Sequence, residues 1–307
     1  MSVKKSTPVR GACLVLVAAV LWGTVGPAQV LASSPVTPVA LGCWRLLVGG
    51  LVLGIFTVRP RRTLGSARVA VRPLLICAFS TGIYQAAFLT SVTRTGAALA
   101  TVIALGAAPA STGACARWVT GERIDPPWLA GTVAAVAGCA LLLDPGGAHV
   151  DFVGLLLAVA AGSCYGIYTV FAKRLAAAHK PADLPMLSAV ILLVGCLPML
   201  PWLIADGLPA HDAPAIALIA WLGVAATAAA YWLFTAGLAL VKATTAATLS
   251  LAEPMGAALI GVLLLHENIS GSAWAGCVLI FGAMLTMSLL PTTRRSLARG
   301  RDLSKSP

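Results

Sequence analysis

Long apolar runs alternate with short polar segments along the whole chain. Taking charge, Pro and Gly as breaks, the pattern predicts ten spans: 12–31, 37–57, 73–93, 97–117, 127–144, 152–172, 184–205, 214–239, 244–265 and 272–290. Most of these runs are close to the ~20 apolar residues that a helix needs to cross the hydrocarbon core of a bilayer. Strands of a membrane barrel would instead alternate apolar and polar residues. The predicted fold is therefore an all-α integral membrane protein with ten transmembrane helices.

The composition excludes a water-soluble protein. Hydrophobic residues make up 59% of the 307 residues and charged residues 10%, whereas soluble domains carry about 25% charged residues. The first apolar run is too long for a signal peptide and has no small-residue cleavage site after it, so we expect a retained helix. The eight Cys lie inside apolar runs, in no metal-binding spacing, and indicate packing residues. We expect no metal and no cofactor.

The basic residues are confined to alternate loops. The segment 59–72 carries five Arg, and the tail 292–307 is also rich in Arg, whereas the segments 33–38, 144–151 and 205–214 contain no Lys or Arg. Short basic loops stay on the cytoplasmic side of a membrane. The pattern predicts a multi-pass protein of the bacterial inner membrane with both termini in the cytoplasm. The net charge of +11 is then a topology signal, and no nucleic-acid partner is expected.

The chain also repeats itself. Residues 97–133 align with 242–278 at an offset of 145, without a gap, and this alignment matches three polar or special positions: Pro109 with Pro254, Glu122 with Glu267, and Gly131 with Gly276. Residues 11–23 align with 154–166, which places Trp22-Gly23 on Tyr165-Gly166. Matched loops have opposite basic content, as an inverted repeat of two five-helix units requires. The predicted units are 1–148 and 149–291, followed by a cytoplasmic tail, 292–307.

These motifs together resemble a known family. Trp22-Gly23 in the first helix, Trp44-Arg45 in the second, a Pro in the middle of the fourth and ninth, and a Glu in the turn that follows are similar to the EamA branch of the drug/metabolite transporter superfamily. The resemblance covers essentially the whole chain. It implies a secondary active transporter, often an exporter of amino acids or related small metabolites. Its two halves would alternate access to a central site.

Two other classes of protein remain as alternatives. An intramembrane enzyme is disfavoured because no catalytic constellation is present: His266-Glu267 does not continue as HExxH, and Ser163 has no mid-membrane His to activate it. A channel or a non-transporting membrane protein would need a filter or an oligomeric pore, for which the sequence offers no signal. We therefore expect no enzymatic activity.

The stretch LSLAEPMGA, residues 249–257, places a carboxylate and a helix breaker at mid-membrane depth. A carboxylate there costs about 3 kcal/mol on insertion scales. Glu253 is interpreted in three ways: a structural charge paired with Arg45, a residue of the substrate path, or a protonatable coupling site that would make protons a partner. Pro254 and its repeat counterpart Pro109 each remove a backbone donor, which predicts helix breaks or hinges beside a midplane site.

The remaining candidates are basic, aromatic or amide residues in the apolar runs. Arg45 is either the partner of Glu253 or an anchor for a substrate carboxylate. Aromatic faces bind amphipathic or cationic solutes. The predicted substrate path therefore also includes Trp22, Tyr84, Gln85, Tyr165, Tyr168, Tyr231 and Trp232. The alternative for the aromatic residues is helix packing or an interfacial belt, and this alternative is favoured for Trp118, Trp128, Trp202, Trp221 and Trp274, which lie near the ends of the predicted spans.

Several polar residues at helix ends have a simpler interpretation. Glu122 and Glu267 are expected to cap the turn that follows each of them. Asp125, just before two Pro, has the pattern of an N-cap, and Ser270 or Ser272 would take that place in the second half.

Overall fold

The computed structural model describes residues 6–33, 36–57, 71–144, 151–207, 212–264 and 270–289. Within these residues the chain forms ten long helical spans and no strand. We number them α1 (Pro8–Ala32), α2 (Pro38–Thr57), α3 (Val71–Thr95), α4 (Ala97–Val119), α5 (Pro126–Leu143), α6 (Phe152–Ala178), α7 (Pro181–Asp206), α8 (Ala213–Leu238), α9 (Ala243–Leu264) and α10 (Gly271–Leu289).

The ten-helix prediction is confirmed within the described residues. Nine spans, α1 to α9, are long and apolar enough to cross a membrane, and α10 contains a shorter apolar stretch, Gly271–Thr286. Most of the predicted loop arginines (59–68), Glu267 and the tail 292–307 lie outside the described residues. Ser270, rather than Ser272, caps α10, because its hydroxyl oxygen accepts the Ala273 backbone N–H at 3.2 Å.

Four spans depart locally from a regular α-helix. Helix α1 breaks at Thr24, α7 contains a 3-10 turn at Leu197–Met199, and α8 contains a π-helical stretch at Val224–Ala229. Helix α9 tightens into a 3-10 turn, Ser250–Ala252, directly before Glu253 and Pro254. Such irregular segments are tolerated in a membrane where other parts of the protein cover them.

The predicted break at Pro109 is not observed. Helix α4 runs as one α-helix through Pro109, from Ala97 to Val119. A Pro removes only one backbone donor, and a membrane helix absorbs that loss where side chains and neighbouring helices supply compensating contacts. The carbonyl that Pro109 leaves without its backbone donor is that of Leu105, four residues earlier. The Thr112 and Ser111 hydroxyls donate to the Ala108 carbonyl, at 2.7 Å and 3.0 Å, one helical turn after it.

The helices pack in pairs that match when the two halves are exchanged. Helix α1 packs against α8 and α9, and its repeat counterpart α6 packs against α3 and α4. Helix α2 packs against α8, and its counterpart α7 packs against α3. The pairs α2–α7 and α5–α10 map onto themselves. The two five-helix repeats therefore interlock, and each half supplies packing partners to the first helix of the other.

Two glycines in the repeated motif allow close approaches between these helices. A methyl group added at Gly23 of α1 would lie 2.5 Å from the Glu253 carbonyl oxygen of α9. One added at Gly166 of α6 would lie 2.6 Å from the Thr112 nitrogen and 3.0 Å from the Ala108 carbonyl oxygen of α4. The two contacts occupy equivalent places in the halves. The repeated glycine thus meets the residue before the repeated proline, which explains why both motifs occur twice.

Candidate functional site

A cavity of about 120 Å³ lies between the two halves. Helices α1, α2 and α3 of the first half and α6, α8 and α9 of the second half form its walls. It runs from mid-depth toward the side of the protein where α1 ends and α2 begins, which we call the α1–α2 end. Its lining residues are Trp22, Val25, Gln29, Pro38, Leu41, Gly42, Arg45, Tyr84, Gln85, Phe88, Leu89, Tyr165, Leu222, Tyr231 and Glu253.

The cavity contains one basic and one acidic side chain from different halves. Arg45 projects from α2 and Glu253 from α9, and both remain partly accessible. Within the described part of the chain, ion pairs shorter than 4.0 Å join Arg94 to Asp151 and Lys242 to Asp125, but not Arg45 to Glu253. Arg45 is oriented by Thr227 of α8, whose hydroxyl oxygen accepts the Arg45 Nε–H at 3.3 Å. Both charges are thus available to a solute.

Aromatic rings form the deep wall of the cavity. The Trp22 ring meets Tyr231 edge-on at a centroid distance of 5.6 Å and Tyr165 at 6.3 Å. The Tyr84 ring lies 6.1 Å from the Tyr165 ring and stacks nearly parallel to Phe88, with an angle of 3° between the planes of Tyr84 and Phe88. These separations fall in the range of favourable aromatic pairs. The rings fix one another in place and present a rigid, amphipathic surface.

The floor below Glu253 is held by a hydrogen bond between two helices of the second half. The Tyr165 hydroxyl of α6 donates to the Ser250 hydroxyl oxygen of α9 at 2.7 Å. Ser250 in turn donates to the Ala246 carbonyl at 3.0 Å. Under this layer, Tyr168 and Phe234 are buried and stack at 6.2 Å. The packed layer separates the cavity from the opposite side of the protein.

A smaller cavity of about 30 Å³ shares four residues with the first, namely Tyr84, Phe88, Tyr165 and Glu253. It lies between α3, α4, α6 and α9, and the Ser250 side chain lines it with Thr101. Glu253 therefore faces two adjoining spaces. Its position places a carboxylate where four helices from both halves converge.

The structure brings together seven of the nine residues predicted for the substrate path: Trp22, Arg45, Tyr84, Gln85, Tyr165, Tyr231 and Glu253. Tyr168 lies in the floor and does not line the cavity. Trp232 does not reach the cavity, because it lies on the opposite face of α8 with 48% of its surface exposed. Pro254 is buried next to Glu253, whereas Pro109 belongs to α4 beside the smaller cavity wall at Ala108.

Eight of the fifteen lining residues were not predicted from the sequence, and two of them, Phe88 and Gln29, had a sequence signal that could have revealed them. Phe88 follows Tyr84 by one helical turn, so the spacing that places Tyr84 in the cavity also places Phe88 there. Gln29 is an amide inside an apolar run, the same signal that identified Gln85. Among the described residues, no group of three His, Cys, Asp or Glu side chains lies close enough to hold a metal ion.

Comparison with known proteins decides the family. The model of the EamA-like transporter family matches the chain twice, over residues 9–144 and 152–289. The chain belongs to the EamA family. The resemblance inferred from the repeated motifs is thereby confirmed, and so is the prediction that this EamA protein is a membrane transporter and not an enzyme.

Named relatives agree with this assignment. The chain is 36% identical to the uncharacterized transporter YwfM of Bacillus subtilis over 284 residues, which covers 92% of this chain and 95% of the relative. It is 31% identical to the threonine/homoserine exporter RhtA of Salmonella typhimurium, with 78% of each chain covered. One solved crystal structure matches the fold with a TM-score of 0.77 at 20% identity, over 91% of this chain and 97% of that chain.

Proposed function

We propose that this EamA protein is a secondary active exporter of amino acids or closely related small metabolites. One observation carries the proposal: the cavity between the halves exposes Arg45 and Glu253, of opposite charge and not paired with each other, between aromatic walls. A zwitterion fits this arrangement. Arg binds a carboxylate through a planar fork of donors, and a carboxylate with nearby aromatic faces binds an ammonium group.

The repeat architecture supports alternating access. Inverted halves that meet at a midplane site rock against each other around a fixed solute in many secondary transporters. Here each charged residue of the site comes from a different half, so a bound zwitterion would connect the two. Export is favoured because the relative RhtA is named as a threonine/homoserine exporter. The basic loops further favour an orientation with both termini in the cytoplasm.

The decisive experiment is counterflow in proteoliposomes that contain the purified protein. Vesicles loaded with an unlabelled solute would take up the labelled form, across a panel of amino acids, amines and nucleoside-type metabolites. We expect saturable exchange of at least one amino acid, and no exchange of its decarboxylated or deaminated analogue. Exchange of none of the panel would contradict the transport proposal, and non-saturable flux would favour a channel.

A matched pair of variants tests whether the cavity is the site. Tyr231→Phe and Trp232→Phe alter neighbouring aromatic residues of α8, one lining the cavity and one facing away from it. We expect the first to raise the KM for the exchanged solute several-fold and the second to leave it unchanged. Equal effects of the two variants would show that the cavity does not bind the solute.

Proton coupling is the narrower question for Glu253. With Glu253→Gln, exchange that survives while pH-gradient-driven accumulation is lost would identify a coupling residue. Loss of both activities in a folded variant would identify a substrate contact. Retention of both would make Glu253 structural and would remove it from the proposed site.

A further inference from the structure

We propose that Glu122 is the positioning residue that keeps the α4–α5 end of the transport path closed, and that breaking its contacts is part of the transport cycle. The α4–α5 end is the side of the protein where α4 ends and α5 begins, opposite the α1–α2 end. The inference rests on the proposed alternating access, which it deepens by assigning a residue to the closed side.

Glu122 caps a helix of the other half. Its Oε1 accepts the Ala243 backbone N–H at 3.1 Å, and its Oε2 accepts the Thr244 hydroxyl at 3.0 Å and the Thr244 backbone N–H at 3.4 Å. These are the first residues of α9, whose own N-cap residue, Lys242, makes no side-chain hydrogen bond to the backbone of this helix. The sequence-based expectation that Glu122 caps the turn following it is therefore wrong. The first free N–H groups of α9 are satisfied across the interface between the halves.

Two further contacts join the same segments. The Trp128 indole Nε1–H of α5 donates to the Thr244 carbonyl of α9 at 3.1 Å. Lys242 Nζ lies 3.4 Å from the Asp125 Oδ2. Glu122 nevertheless differs from both, because a carboxylate at a helix N-terminus also interacts favourably with the helix dipole.

The location of these contacts gives them a role in gating. The open cavity lies toward the α1–α2 end, whereas Glu122 holds the first half to the start of α9 at the opposite end. Helix α9 also carries Glu253, less than three turns further on. A path from the cavity to the α4–α5 end requires the start of α9 to separate from the α4–α5 turn. The hydrogen bonds of Glu122 must then break, so this residue shifts the balance between the two states.

Hydrogen–deuterium exchange of the full chain in lipid nanodiscs tests this without any substrate. In Glu122→Ala we expect at least roughly tenfold faster hydrogen exchange of the Ala243–Ser250 amides, the lower bound set by the loss of one hydrogen bond to a charged acceptor. We also expect slower exchange in Val25–Ala32, because closing the α1–α2 end must accompany opening of the other. Glu122→Gln keeps an acceptor oxygen and should give a smaller shift of the same sign at both ends.

The reciprocal change separates gating from a merely structural cap. Faster exchange confined to Ala243–Ser250, with Val25–Ala32 unchanged, would overturn the proposal, as would no change at either end. Arg123→Gln is the matched control, because this exposed residue belongs to the same turn and is expected to leave both segments as in the wild type. If Glu122→Ala does not fold, Thr244→Val removes one donor and should produce a weaker reciprocal shift.

Failure here and failure of the proposed function have different signatures. Reciprocal changes in hydrogen exchange without any solute counterflow would support the role of Glu122 in gating and contradict the proposed substrate. Solute counterflow without reciprocal changes in hydrogen exchange would support the proposed function and show that Glu122 does not control a gate.

Discussion

Helices α4 and α9 are the same element in the two repeats, yet they differ at one position of the repeated motif. Gly166 approaches Ala108 before Pro109 in one, and Gly23 approaches Glu253 before Pro254 in the other. The close glycine contact is common to both and therefore belongs to the fold. The carboxylate occurs only in α9, where it faces the cavity. Comparing the two helices separates what the architecture needs from what the site needs.

The backbones of α4 and α9 also differ near the repeated proline. Helix α4 continues through its proline, whereas α9 tightens into a 3-10 turn before Glu253. The irregular turn and the carboxylate thus occur in the same helix, α9, which is the member of the pair that lines the larger cavity. An asymmetric site suits an asymmetric solute, since a zwitterion presents opposite charges at its two ends.

The largest expected effect comes from filling the shared glycine contact. We expect Gly23→Ala and Gly166→Ala each to destabilise the protein by about 1–3 kcal/mol, because the new methyl group meets backbone atoms that cannot move aside. Thermal unfolding in detergent, followed by size-exclusion chromatography, measures this. Gly54→Ala is the control, since an added methyl group there meets nothing within 4 Å. Destabilisation in only one half would contradict a shared role in the fold.

Making α9 resemble α4 is the second test. Glu253→Ala should lower counterflow about a hundredfold while the melting temperature stays equal or rises, since a carboxylate at mid-depth costs about 3 kcal/mol on insertion scales. The reverse exchange, Ala108→Glu, should lower the melting temperature, because Ala108 is 4% exposed. A large loss of stability in Glu253→Ala would instead assign the acid to the fold.

Arg45→Lys tests the other charged residue of the cavity, and its expected effect on transport is smaller. The variant keeps the positive charge but loses the planar fork and the Nε–H bond to Thr227. We expect about a tenfold higher KM in counterflow with a nearly unchanged maximal rate. Arg94→Lys serves as the matched control outside the cavity, where Arg94 pairs with Asp151 at 3.5 Å. An unchanged KM in Arg45→Lys would mean that the solute carboxylate binds elsewhere.

The smallest expected effect concerns the floor of the cavity. Tyr165→Phe removes the hydrogen bond to Ser250, a loss of about 1 kcal/mol or roughly fivefold in the rate of exchange. Ser250→Ala should give a similar change, and the double variant should be no worse than either single one, because both remove the same bond. Additive effects would show that the two hydroxyls act independently.

Much of the fold could be predicted from the sequence. Apolar runs alone located ten helices. A segment that crosses a membrane must satisfy its own backbone groups, so it forms a helix, and its contact with lipid requires a long stretch of apolar side chains. The repeat could also be found, because the contact between Gly23 and Glu253 and that between Gly166 and Ala108 require the same residue types twice. The π-helical stretch in α8 left no such signal.

The site was predictable only in part, because the direction of a side chain depends on packing. Tyr231 and Trp232 are adjacent in α8, and both are aromatic side chains with a hydrogen-bonding group. Because successive residues of a helix are rotated by about 100°, they lie on different faces. Tyr84 and Gln85 are also adjacent, yet both reach the cavity. Which face points inward is decided by neighbouring helices. For the same reason local pattern could not reveal that Glu122 caps α9 in the other half.

The interlocked packing of α1 also constrains how the protein is made. Helix α1 finds its partners in α8 and α9, about 200 positions later in the chain. During synthesis it enters the bilayer well before the surfaces that bury Val15 and Trp22 exist. The first five helices thus lack part of their packing partners until the second half has been synthesised. If the chain is divided between the repeats, we expect the two fragments to fold only when they are co-expressed. Duplication gave this chain two similar halves, but assembly makes them a single cooperative unit.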